Sequence, residues 1–178
     1  MFMNPFERVM IFIDGSNVFK SIKNYNRENQ QEFKIDYFKL IDFLTNGRNL
    51  IRPYYYGSED VPPNQSQTNY LNKLRFSGFE VVSKPLRSHT DRDGVLFKIE
   101  KGVDVSLATD FISLAWENAF DTAIIVSGDS DYIEAIKRVK QKGKKVEVVA
   151  FQNAIGSDLK MTGDKTILLD DITKNISL

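Results

Sequence analysis

Four aspartates occupy three segments in which a carboxylate ends or opens a regular element. Asp14 follows the apolar run Val9 to Ile13 in FIDGSNVF; Asp129 and Asp131 follow AIIV in SGDSDY; Asp104 opens a helical pattern in KGVDVSLATD, with Asp110 six residues on. Strands of one parallel sheet finish at a common edge, so Asp14, Asp129 and Asp131 are placed for one neighbourhood, and their own motifs supply no cation. Crowding of this kind raises the pKa of at least one carboxylate unless a metal neutralises it. Hard oxygen donors suit Mg²⁺ or Mn²⁺, which keep several waters and bridge to phosphate oxygens. The chemistry implied is phosphodiester cleavage, with the ion activating water and offsetting charge on the phosphate.

Each acid also has a structural reading. Asp14 can be a turn former, Asp129 and Asp131 an N-cap and first-turn acid for a helix near Tyr132, and Asp104 a cap for a helix over 104–118. Taken jointly, two acidic strand ends and a third acid close to Lys101 favour a metal site. Asp110 lies roughly 9 Å along and about 120° around a helix from Asp104, so it faces another part of the cleft or solvent. Gly15 suits a positive φ or a close backbone approach, and Ser16 or Asn17 can cap the helix that follows. Asn17 can equally reach a ligand carboxylate or phosphate. Ser127 and Ser130 can orient Asp129 or a water, or simply shape a loop. Lys101 is the candidate substrate-binding cation, for phosphate or for pairing with the acids. His89, the only histidine, lies in an irregular segment and is a weak general acid, and Tyr54 to Tyr56 offer either a stacking surface or packing.

The elements that must hold these residues alternate. Short β-rich runs recur at Val9 to Ile13, Leu50 to Tyr56, Phe79 to Val82, Ala123 to Val126, Val146 to Phe151 and Ile167 to Leu169. Between them the spacing predicts helices: Tyr37, Leu40, Ile41 and Leu44 after an Asp36 cap and before a Gly47 stop; Val103, Leu107, Phe111, Leu114 and Ala115; and Tyr132, Ile133, Ile136 and Val139 before Gly143. This alternation implies an α/β fold with a mainly parallel sheet covered on both faces. Residues 56–69, with Pro62 and Pro63, read as a loop from which Asn64 or Ser66 starts a helix, and Asp93-Gly94 reads as a hairpin turn.

Length and composition narrow the class. A chain of 178 residues, 42% hydrophobic and 27% charged, is expected to form one domain over 1–178. No apolar run approaches the roughly 20 residues that span a bilayer, and MFMNPFERVMIFIDG is not patterned as a signal peptide, so the expectation is a cytoplasmic protein without membrane contact. With no cysteine, disulfides, thiolate metal sites and a cysteine nucleophile are excluded. Basic and acidic residues balance at 24 each, so local patches must decide any affinity for nucleic acid. The run KRVKQKGKK, from Lys137 to Lys145, is either a solvated helix end or, with Lys101, a surface for a phosphate backbone.

FIDGSNVF, KGVDVSLATD and SGDSDYIEAIKRVKQKGKKVEVV, in that order, resemble the signature of NYN domains, in particular the LabA-like group of PIN-like nucleases. The resemblance runs from about Val9 to Leu169 and rests on the three motifs together. It implies a Rossmann-like three-layer α/β/α sandwich whose acids bind Mg²⁺ or Mn²⁺ for RNA cleavage. Carried over by position, it points to Asp14, Asp104, Asp129 and Asp131 as metal-binding or catalytic, with Asn17 and Asp110 in support. Three functions compete. The first is a metal-dependent endoribonuclease, favoured because RNA binding alone needs no converging carboxylates. The second is a non-catalytic RNA-binding or regulatory protein using the same cleft, and the third a phosphohydrolase acting on a small nucleotide. All three leave room for a homo-oligomer.

Overall fold

The computed structural model describes residues 4, 6–90, 94 and 96–178. Six parallel strands form its central sheet: β1 (Arg8–Asp14), β2 (Asn49–Glu59), β3 (Glu80–Pro85), β6 (Thr122–Val126), β7 (Lys145–Ala150) and β8 (Lys165–Leu168). Every run of β-branched and aromatic residues read as a strand is in this sheet. The remaining strands, β4 (Arg87–Thr90) and β5 (Leu96–Ile99), pair antiparallel as a separate arm. Thr90 stands opposite Leu96 in that arm, and the expected turn residue Asp93 lies outside the described residues.

The strand order is β3-β2-β1-β6-β7-β8. From β1 the chain winds outward through β2 and β3, then returns to the other side of β1 and winds outward again. The direction of winding therefore reverses between β1 and β6, and the loops leaving their carboxyl ends diverge to opposite faces. An open crevice is left between those loops, which is where ligands bind in such sheets.

Alternation along β1 builds two cores. Val9, Ile11 and Ile13 face the helices α1 (Gly15–Asn29), α2 (Tyr37–Thr45), α3 (Gln65–Phe76) and α7 (Leu169–Ile176). Met10 and Phe12 face α4 (Val103–Trp116), α5 (Ile133–Gln141) and α6 (Ser157–Thr162). The Phe12 ring is fully buried, edge-on to Phe111 at 5.2 Å and stacked on Tyr54 at 5.4 Å. Burial of such a side chain contributes about 1.5–3 kcal/mol, and with helices on both faces β1 cannot shift register without exposing one core or the other. The architecture is the expected three-layer α/β/α sandwich.

Helix ends follow local chemistry. Asp36 caps α2 by accepting from the amides of Phe38 and Lys39, and Asn64 caps α3 through Ser66 and Gln67. The left-handed residue that stops α2 is Asn46, one before the expected Gly47, which also has positive φ. Asp104 is not a cap: Gly102 stands there, with φ of 81°, and Asp104 is in the first turn of α4. Among the described residues no helix is long and apolar enough to cross a membrane.

Candidate active site

Asp14 is the last residue of β1 and also the N-cap of α1, so strand end and helix start are one residue. The residue is only 6% exposed. Oδ1 accepts from the Asn17 amide at 2.9 Å, and Oδ2 accepts from the Tyr132 hydroxyl at 2.9 Å and the Ser127 hydroxyl at 3.3 Å. The cap expected at Ser16 or Asn17 is thus Asp14, and the Asn17 side chain is released for another task. Its Oδ1 accepts from the Gly128 amide at 3.0 Å and ties the loop after β6 to the start of α1. The Ser127 hydroxyl also accepts from the Asp129 amide at 3.2 Å, and Asp129 Oδ1 accepts from the Asp131 amide at 3.0 Å. A continuous hydrogen-bonded path therefore crosses the crevice from Asp14 to the GDSD loop.

Two glycines make this approach possible. A Cβ on Gly15 would lie 2.4 Å from the Tyr55 ring and 2.8 Å from the Tyr56 carbonyl oxygen; one on Gly128 would lie 2.5 Å from the Ala154 carbonyl oxygen. Neither glycine has positive φ, so close approach is what each position demands.

The electrostatics are those of an unneutralised acid. Burial holds the Asp14 carboxyl above the usual carboxylate range, the charges of Glu100 and Asp129 push it further up, and the bonds from Asn17 and Tyr132 oppose the rise. The Tyr132 hydroxyl is raised as well, by burial first and then by Asp14, Asp129 and Asp104, so it remains a proton donor to Asp14. Among the described residues no cation lies within ion-pair distance of Asp14, Asp104, Asp129, Asp131 or Glu100. Nor do three acids among them converge into a ready-made cage for a metal ion.

The remaining expected residues are distributed around this centre. Asp104 is exposed on the first turn of α4, and its charge reaches Tyr132. Ser130 and Asp131 are exposed on the 3₁₀ turn Ser130–Tyr132, and Lys101 is exposed at the entrance to α4. Asp110 is half-buried and accepts from the Tyr56 hydroxyl at 2.9 Å, which anchors α4 to the strand residue paired with Asp14. The basic run falls elsewhere. α5 descends from the carboxyl edge to the amino edge of the sheet, where Lys142 lies over the Trp116 ring and Lys144 contacts Asn118; Lys140 pairs with Asp164.

Several site residues escaped the sequence reading. Glu100, just before KGVD, accepts from the hydroxyls of Ser16 and Ser58. Tyr132 was expected only as an inward helix residue, yet its hydroxyl ends on Asp14. Lys20 and Lys23 on α1, with Lys23 placed 4.4 Å from the Phe19 ring centre, bring cations to the same edge. The GDSDY string was a signal for Tyr132; nothing in the spacing marked Glu100.

Comparison with known proteins fits this arrangement. The family model for the NYN domain matches residues 8–170. The chain is 26% identical over 168 residues to the Low amplitude and bright protein LabA of Synechococcus elongatus, covering 93% of this chain and 85% of that protein. It is 24% identical over 165 residues to an uncharacterized protein of Methanocaldococcus jannaschii, covering 92% of this chain and 56% of that longer protein. A crystal structure of a protein of unknown function from Vibrio parahaemolyticus superposes with a TM-score of 0.76 at 25% identity, covering 100% of both chains.

Proposed function

Because the chain belongs to the NYN domain family, which comprises PIN-like nucleases, we propose that it is a divalent-metal-dependent ribonuclease acting at the carboxyl edge between β1 and β6. The observation that carries this reading is the buried Asp14 carboxylate at the point where the winding reverses, crowded by Asp129 and Glu100 and paired with no cation among the described residues. Asp14, Asp104, Asp129 and Asp131 are the residues that would hold Mg²⁺ or Mn²⁺. The donor set fits a hydrated ion: Mg²⁺ takes one or two carboxylates and keeps its waters, so hard oxygen donors standing apart suit it. When bound, the ion supplies charge that activates water and offsets the developing charge on the phosphate.

The chain's own residues prepare that step. Tyr132 and Ser127 hold Asp14 Oδ2 by donation, and the Asn17 amide holds Oδ1, so the carboxylate is fixed before any ligand arrives. Asn17 fixes the GDSD loop against α1, which sets the position of Asp129 relative to Asp14. Lys101, Lys20 and Lys23 are the cations that would meet the phosphates of an RNA strand.

The test is labelled single-stranded RNA incubated with the purified protein, with and without Mn²⁺, beside Asp14→Asn and Asp129→Asn. Cleavage by the parent that needs metal and is lost in both variants is expected. Binding of RNA by the parent with no cleavage under any metal condition would replace this reading with recognition alone, and equal cleavage by all three proteins would remove these aspartates from the mechanism.

A further inference from the structure

A cavity of about 400 Å³ lies beside Asp14, between the start of α1, the end of β2, α3 and the residues Leu86 and Glu100 that flank the arm. It is at the small end of ligand pockets, suited to a single ring system. We propose that it is a base-recognition subsite that takes a guanine of single-stranded RNA, making the enzyme selective for the base next to the cleaved bond. Its position beside the reacting phosphate rests on the ribonuclease reading; base binding itself needs neither metal nor turnover.

The walls offer aromatic faces. Phe19 is 57% exposed and Tyr70 39% exposed at the pocket, and the Tyr55 ring lies between their helices. That ring is held rigidly. It fills the space a Cβ on Gly15 would need, a Cβ on Gly57 would approach it to 3.1 Å, and it packs edge-on with the rings of Tyr37 at 5.5 Å and Tyr70 at 6.1 Å. Pre-set aromatic surface of this kind suits an unstacked base.

Selectivity comes from Glu100. Its Oε2 accepts from two hydroxyls, Ser16 on α1 and Ser58 on β2, which saturates that oxygen and fixes the carboxylate plane. Oε1 has no donor among the described residues, so an acceptor-only group remains on the pocket wall. Guanine presents two adjacent N–H donors, N1 and N2, to such a group. Adenine and cytosine place a bare ring nitrogen beside their amino group, and uracil flanks its single N–H with two carbonyl oxygens; each would set a lone pair against the carboxylate. Lys20 lines the same pocket and Lys23 stands over Phe19, so cations for the attached phosphate are close by.

The four ribonucleoside monophosphates, titrated into the full chain in EDTA and followed by NMR shifts of the tyrosine rings, test the assignment. Guanosine monophosphate should bind about tenfold more tightly than uridine monophosphate. Glu100→Gln should bring the four within about twofold of one another, because the amide replaces an acceptor with a donor. Ser58→Ala, which keeps the carboxylate but frees Oε2, should retain part of the preference, and Phe19→Ala should weaken all four alike. Equal binding of the four by the parent, or a preference unchanged in Glu100→Gln, overturns the proposal. A parallel Mn²⁺ cleavage assay separates the two readings: guanine preference without cleavage leaves the pocket standing and removes the nuclease, while cleavage without any base preference does the reverse.

Discussion

The two edges of the sheet treat their buried charges in opposite ways. At the amino edge acids meet cations. Arg48, whose side chain is 7% exposed, makes a two-pronged contact with Glu147 at 2.9 and 3.1 Å and lies 3.9 Å from Glu7; Arg8 meets Asp121 at 2.7 Å. At the carboxyl edge Asp14 is as deeply placed, yet among the described residues it meets only hydroxyls, an amide and the fields of other acids. A larger cavity, about 1160 Å³, is at the neutralised edge, so volume and unpaired acid point to opposite ends of the sheet. A buried pair is costly to break because the partner left behind is a buried charge without compensation; on the proposed reading, the charge of Asp14 is offset by a metal ion instead.

Breaking the paired edge should have the largest effect. Arg48→Met leaves Glu147 and Glu7 without their partner and is expected to lower stability by about 3–5 kcal/mol, read from the denaturant midpoint. Cleavage by the protein that remains folded should be unchanged; a loss of cleavage per folded molecule would mean that the edges are coupled. At the unpaired edge, Asp14→Asn should lower metal-dependent cleavage by about 100-fold or more while leaving RNA binding intact or improved, measured by single-turnover cleavage beside a binding titration.

The same substitution should then stabilise the metal-free protein. Asp14 has a folded pKa above its unfolded value, so its ionisation subtracts stability as pH rises from the unfolded carboxylate range through the folded value. Asparagine removes that cost and keeps the geometry, because the Tyr132 and Ser127 hydroxyls can accept where they formerly donated. A melting temperature in EDTA about 2–4 °C above the parent is expected at neutral pH, the size of roughly 1 kcal/mol in a chain of this length. The gain should shrink as pH falls and reverse when Mn²⁺ stabilises the parent alone. An unchanged or lower melting temperature would show that Asp14 carries no such cost. The smallest effect has the opposite sign. The hydrogen bonds and charge of Arg8 hold Asp121 below its usual range, so its contribution is present above the unfolded pKa and lost as pH falls through the folded one. Because both partners are partly exposed, Asp121→Asn should cost only about 0.5 kcal/mol at neutral pH, with the difference vanishing in acid.

Much of the frame was legible in the residues. Runs such as Val9 to Ile13 and Ala123 to Val126 became strands because β-branched side chains suit a sheet covered on both faces. Asp36 and Asn64 became caps because their short side chains reach the first free amides of a helix. The clustering of Asp14 with the GDSD loop was legible too, since parallel strands share an edge. Of the two readings open for the basic run, the structure fits the solvated helix end: Lys137, Arg138 and Lys140 are carried on α5 and Lys142, Lys144 and Lys145 follow it, as α5 runs away from Asp14 towards the amino edge of the sheet.

What the sequence by itself determined was therefore local or periodic: which segments are strands, where helices start, and which acids stand at strand ends. Only the tertiary structure decided which of those acids remain unpaired. Arg48 and Glu147 are 99 residues apart and meet; Tyr132 donates to Asp14 across 118 residues; Glu100 and Ser16 meet across 84. Propensity and capping act over a few bonds of chain, whereas charge, desolvation and hydrogen bonding act through space and depend on distance and burial that no spacing rule encodes. Hence Asp14 reads in the sequence as a strand end or turn former and Asp36 as a cap; the fold makes both of them caps, and only the first a buried carboxylate with no cation beside it among the described residues.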